Sequence, residues 1–452
     1  MHLAAKYAIC YDEPLFGFDR ARKNRMTEKG SQRILSIDIY RGLVILLMCF
    51  ANSTSKIKGL PWWMDHSFNN PGKENLIAWL DLIFPAFLFI MGMSIPLALE
   101  KRLERKESRL SIFTHVLFRS LILIWIGTAV EGYNYKEELT GVSTALWYFL
   151  GFVATVGLLA TWPLTGSGKT WKVVLGWTIR LASIGCLVWE SYKFRAGPHG
   201  GDFFTGGYIP GTPAFPASTL GYLGFAYLLV SAIWIVFQYS SAARIGAYGL
   251  MLAFFYHLEQ TNPFLNDWIP TLLRYLDLSN RIGVYSTMVL AGTFIGDLFL
   301  PKNLASERSR PGLRILALTT VLLLASAFAA GNLFSDFVGV RRTLFMTGIV
   351  SLAFWGVWGL ECLWGQSKSF VVVTKPLTEL GKNPLFIYMG QYGFAGLLAI
   401  IINNPKVLEV IPGYIVFGHT GWWAVLTMSI PFTLGITILT LIANRLKIIV
   451  KF

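Results

Sequence analysis

Residues 80–99 read LDLIFPAFLFIMGMSIPLAL, with one charge, Asp81, near the start and none after it. About 20 residues of helix cross a hydrocarbon core. Lipid offers no water to an open backbone, so a nearly uncharged run of that length is a membrane-spanning helix. Working outward, the same reading covers stretches near 35–54, 76–99, 111–131, 142–162, 173–192, 218–238, 243–258, 281–300, 313–331, 343–364, 380–402 and 421–445. The expected fold is all-α, a polytopic transmembrane helix bundle of about 12 spans. Composition agrees: 54% of the 452 residues are hydrophobic and 14% are charged, where a soluble protein carries about a quarter charged residues.

Lys and Arg set the orientation. They gather in residues 20–33 and in the 100–110 loop, which holds Lys101, Arg102, Arg105, Lys106 and Arg109, so both termini are expected to be cytoplasmic. Residues 1–33 then form a cytoplasmic tail. Its short apolar start is broken by Asp12, Glu13 and Pro14 and is no cleavable signal. The net charge of +14 flanks the spans instead of building one basic domain, which fits topology and anionic lipid and not nucleic acid. Two outside loops are long. Residues 53–75 include Pro61, Trp62, Trp63, Asp65 and His66; residues 193–217 are an extracytoplasmic segment crowded with Gly and Pro (GPHGGDFFTGGYIPGTPAFP). Cys10, Cys49, Cys186 and Cys362 form no close pair, so neither a metal site nor a disulfide framework is expected.

Ionisable groups lose hydration inside a bilayer, so each is a functional candidate. Asp38 and Arg41 stand three apart on one helical face and read either as an interfacial ion pair or as part of a substrate site. Asn52 closes the first span, where Asn is also a common helix C-cap. Asp81 lies one turn before Pro85, which is expected to kink the second span. A carboxylate there can orient the imidazole of His66 in the preceding loop, or simply complement the helix dipole. His115 and Arg119 share a face of the third span near the cytosolic surface, a place for an anion. His2 is in the tail, His199 and His419 sit in loops with no evident partner, and His257 ends a span, where an interfacial place is expected. The stretch PLTGSGKT at 163–170 echoes a phosphate loop but has Pro163 where Gly is required, and a spanning helix where a strand belongs. HExxH and GxSxG are both lacking, which speaks against soluble-type protease and hydrolase chemistry.

Three segments carry a further reading: RILSIDIYRGLVILLMCFANS (33–53), PWWMDHSF (61–68) and the 80–99 run. They resemble the lysosomal heparan-alpha-glucosaminide N-acetyltransferase family and its bacterial relatives. That family shows R-x-x-S-x-D-x-x-R-G, an Asn ending the same helix, an outside His, and D-L-x-F-P-x-F-L-F-I-x-G. Arg33, Ser36, Asp38, Arg41, Gly42, Asn52, His66, Asp81, Phe84, Pro85 and Gly92 fit the pattern. VGVRRTLFMTGIVSLAFWG (338–356) resembles a second family signature, and GKNPLFIYMGQYGF (381–394) a third, around Gly381, Asn383 and Tyr388. The chain departs in the fourth span, where GVSTALWYFLG (141–151) replaces the family's Arg-x-Pro-Gly-Val-Leu-Gln-Arg element. It also departs in 193–280, which looks expanded by a helix pair.

The resemblance implies a transmembrane acyltransferase domain over 34–452, with ten family-like spans plus the inserted pair. It implies transfer of an acetyl group from cytosolic acetyl-CoA, a co-substrate, to an extracytoplasmic amino-sugar or glycan acceptor, with no metal. His66 would act as base or acyl carrier, Asp81 would orient it, and Asn52 would hold the thioester carbonyl or the acceptor. Asp38, Arg41, Arg119 and Asn383 would serve the donor, with Arg119 or Arg180 standing in for the missing arginines. The family suggests a homodimer. The lack of a luminal domain before the first signature points to a bacterial cytoplasmic membrane. Two rival readings stand beside this one: a 12-span secondary transporter, which should show paired halves, and a protein of this fold without transfer activity.

Overall fold

The computed structural model describes residues 34–55, 57–73, 76–131, 135–160, 170–195, 201–204, 218–260, 279–300, 311–330, 340–365, 367–402 and 420–450. The 1–33 tail, most of the 193–217 loop, residues 163–169, and His2, His199 and His419 lie outside them, as does the side chain of His257.

The described residues fold into helices: α1 (Leu35–Thr54), α2 (Ile83–Glu104), α3 (Arg109–Ile126), α4 (Thr144–Leu159), α5 (Thr170–Lys193), α6 (Thr219–Val236), α7 (Ser241–Gln260), α8 (Thr287–Leu298), α9 (Pro311–Ala330), α10 (Val340–Trp364), α11 (Lys368–Gly381), α12 (Pro384–Ile402) and α13 (Ile430–Arg445). Single π-helical segments extend three of them: Gly127–Glu131 follows α3, Ser279–Ser286 precedes α8, and Val425–Ser429 precedes α13. Eight helices among the described residues are long and apolar enough to cross a membrane: Leu35–Thr54, Trp79–Glu104, Arg109–Glu131, Val173–Lys193, Thr219–Val236, Arg342–Trp364, Pro384–Ile402 and Gly421–Arg445. Thr144–Leu159 and Arg314–Ala325 are apolar but shorter. The chain is an integral, multi-pass membrane protein of helical architecture.

Two local features differ from expectation. Pro85 does not kink a span, because Trp79–Leu82 is a 3-10 turn and α2 begins only at Ile83. Pro85 therefore sits in a first helical turn, where a missing N–H leaves no bond unmade. Between the expected spans 343–364 and 380–402 the chain forms a further helix, α11. It packs along the first half of α1, and glycine makes the approach possible. A Cβ on Gly42 would lie 1.8 Å from the Leu377 carbonyl oxygen, and one on Gly381 would lie 2.2 Å from that of Asp38. Helices α2 and α8 meet the same way, through Gly92 against Val289 and Gly292 against Phe89. In lipid no hydrophobic drive brings helices together, so backbone-close contact at small residues supplies the packing.

The chain's path defines two ends of the bundle. The loop holding His66 joins α1 to α2 at one end. At that end Lys136 N–H donates to the Arg195 carbonyl (3.0 Å) and Gly421 N–H to the Lys58 carbonyl (2.8 Å). At the opposite end Ala160, after α4, pairs with Val450, after α13, in an isolated antiparallel bridge.

Candidate functional site

The His66 loop is built from two short 3-10 turns, Trp62–Met64 and Ser67–Asn69. Side chains hold them together. Asp65 Oδ1 accepts from the His66 N–H (2.7 Å) and from Asn69 Nδ2 (3.0 Å), while Asn70 Nδ2 donates to the His66 carbonyl (2.9 Å). His66 is thus fixed at its own backbone, and its ring stacks on Phe68 at 4.9 Å between centroids.

Asp81 completes the arrangement from the other side of the loop. Its side chain is 4% exposed, against 32% for His66. Oδ1 lies 2.8 Å from His66 Nδ1. A carboxylate only accepts, so Nδ1 carries the proton, and Nε2 is left as the ring's open nitrogen. Oδ2 accepts from the backbone N–H of Ala78 (3.0 Å) and of Ser67 (3.3 Å). Arg342, from the start of α10, places Nη2 3.5 Å from the same oxygen and donates to Ser67 Oγ (3.2 Å). One buried carboxylate therefore ties together the histidine, the loop backbone and a helix from the other half of the chain.

Asn52 stands near the end of α1, and its Nδ2 donates to Gln391 Oε1 on α12 (3.1 Å). Gln391 is fully buried, and its Nε2 has no hydrogen-bond partner. The remaining predicted residues lie toward the opposite end. Arg41 reaches Asp38 Oδ1 (3.3 Å), the Gly381 carbonyl (3.2 Å) and Ser94 Oγ (2.6 Å), so it joins α1, α2 and α11. Asn383 is fully buried. Its Nδ2 donates to Asn444 Oδ1 and to the Ile448 carbonyl, both at 3.0 Å, and its Oδ1 accepts from Val450 N–H at 3.0 Å. Arg119 is half-buried on α3, and Arg180 lies over the Trp177 ring on α5.

Two participants escaped the reading of the sequence, Arg342 and Gln391. Each lies inside a quoted signature, 338–356 and 381–394. No local spacing marks either, because Arg342 meets Ser67 across 275 positions and Gln391 meets Asn52 across 339.

Fold and site define a multi-pass helical membrane protein with a histidine–carboxylate pair set at one end of its bundle. Residues 33–130 match a family described as a domain of unknown function (DUF5009). Heparan-alpha-glucosaminide N-acetyltransferase of Mus musculus is 36% identical over 105 residues, which are 23% of this chain and 15% of that protein. Its counterpart from Homo sapiens is 32% identical over 140 residues, 29% of this chain and 20% of that protein. The chain thus spans a fifth or less of the length of these relatives. Over the matched region the chain is similar to heparan-alpha-glucosaminide N-acetyltransferases.

Proposed function

We propose that the chain is a transmembrane acetyltransferase that moves an acetyl group from cytosolic acetyl-CoA to an amino sugar on the other side of the membrane. The reading rests on one observation: Asp81 engages Nδ1 of His66 at 2.8 Å and leaves Nε2 open. An amine attacks a thioester only after its ammonium has lost a proton. That first proton leaves to solvent; as the amine nitrogen then bonds to the thioester carbonyl carbon, Nε2 takes the second proton the nitrogen must lose, and the carbon–sulfur bond breaks. The departing thiolate then takes the proton back from the imidazolium. In the acyl-carrier variant Nε2 itself attacks the thioester and expels the thiolate; the neutral amine then takes the acetyl group from the imidazole, to which its surplus proton returns. Asn52, held by Gln391, offers its amide to the carbonyl or the acceptor.

The donor enters from the end that carries Asp38, Arg41 and Asn383, with Arg119 deeper along α3. There Asn383 acts by holding Asn444 and residues 448–450 in place, since protein groups occupy both ends of its amide. The test is label transfer from radioactive acetyl-CoA to glucosamine by the detergent-purified full chain, with His66→Ala alongside. Transfer that vanishes in the variant supports the reading; full activity in the variant, or none in the wild type, overturns it.

A further inference from the structure

Glu190 is a buried titratable residue that this mechanism does not use. It stands in the last turn of α5, is fully buried, and neither carboxylate oxygen has a hydrogen-bond partner. Glu131, at the end of the π segment after α3, differs: one of its oxygens caps the start of α6 by accepting from the Leu220 N–H (3.2 Å). The cation nearest Glu190 in sequence beyond the helix, Arg195, turns Nη1 to the carbonyls of Tyr192 (3.2 Å) and Phe194 (2.6 Å). Among the described residues no Lys or Arg pairs with Glu190.

Aromatic rings crowd this part of the bundle. Trp147 on α4 is fully buried, with ring centroids 4.6 Å from Tyr135, 6.2 Å from Trp189 and 6.2 Å from Phe194. Trp189 adjoins Glu190 in the chain, and the Phe194 N–H donates to the Glu190 carbonyl (2.8 Å). Burial raises the Tyr135 phenol above its ordinary value, and the carboxylates of Glu137 and Glu190 add to the shift. Tyr135 is also a wall of an open polar cleft of about 620 Å³, shared with Lys136, Glu137, Glu138 and Ser143. The cleft, the aromatic cluster and Glu190 all lie at the His66 end of the bundle.

A buried carboxylate without donors is unfavourable unless a partner arrives. An ammonium supplies three N–H donors and the opposite charge, and aromatic faces add attraction for a cation. We propose that Glu190 is the anionic end of a second binding site, which takes the ammonium group of a small organic amine entering past Tyr135. The site is independent of the part assigned to His66.

The experiment uses the full chain carrying His66→Ala, so that binding at His66 is disturbed and the second site is read separately. Glucosamine, a cation at neutral pH, is titrated calorimetrically while tryptophan fluorescence is followed. Neutral N-acetylglucosamine is the control. The expected result is glucosamine binding in His66→Ala that falls at least about tenfold when Glu190→Gln is added, and no binding of N-acetylglucosamine. Equal binding with and without Glu190→Gln, equal binding of the two sugars, or no glucosamine binding at all overturns the proposal. If Glu190→Gln does not fold, the comparison of the two sugars on the single variant still decides. Loss of acetyl transfer in the separate label assay bears on His66 alone.

Discussion

Asp81→Asn tests the site at its centre, and the geometry sets the size of the effect. The substitution keeps the volume of a side chain that is 4% exposed but turns one oxygen into an NH2 donor. The Oδ2 position faces Ala78 N–H, Ser67 N–H and Arg342, all donors. The remaining oxygen belongs there, so the new NH2 turns to His66. An NH2 cannot accept from Nδ1–H. The imidazole must then offer its Nδ1 lone pair and carry its proton on Nε2, the nitrogen that has to receive the substrate's proton. Loss of general base function through a wrong tautomer lowers kcat by about 10² to 10⁴, equivalent to about 3–5.5 kcal/mol of barrier. The fold should survive, because the Oδ2 contacts persist in neutral form; the lost charge assistance amounts to about 1–2 kcal/mol. The assay is kcat for transfer from acetyl-CoA to glucosamine, with thermal unfolding in the same detergent. An Asn variant that folds and turns over within about threefold of wild type, a barrier change under about 1 kcal/mol, would refute the orienting role.

Two further outcomes are expected. Arg342→Ala removes a partly exposed partner from Asp81 and Ser67; such a pair contributes up to about 1 kcal/mol, so kcat should fall by roughly fivefold, with Arg342→Lys restoring charge but not the two-point contact. An unchanged kcat in Arg342→Ala would remove that residue from the site. Gly42→Ala forces α1 away from α11, since its Cβ would stand 1.8 Å from a carbonyl oxygen; overpacking of this kind costs about 1–3 kcal/mol, seen as a lower melting temperature, and a variant as stable as wild type would contradict the close approach.

Much of the helical architecture was legible in the chain because lipid forces the backbone to close its own hydrogen bonds, and apolar length alone then marks a span. Residues 35–54, 80–99 and 384–402 carry that signal without help from any neighbour. His66 and Asp81 were legible as candidates for the same local reason: they stand 15 positions apart across one loop, a separation a short connection can close. The α11 segment was not, because its Lys, Thr and Pro residues break the apolar run by which spans are recognised. The glycines of the motif were visible, but their purpose was not. Gly42 and Gly92 are small because Leu377 and Val289, 335 and 197 positions away, bring their carbonyls against them.

By itself, then, the sequence determined that this is a helical membrane protein and which polar residues stand where polar residues are costly. Only the tertiary structure decided which of them meet: Arg342 on Asp81, Gln391 on Asn52, Asn383 on the C-terminal segment, and no described donor on Glu190. Burial of a helix face depends on the local pattern of side chains. Satisfaction of a buried polar group depends on whatever partner the packing of distant helices delivers, and no period in the chain records that.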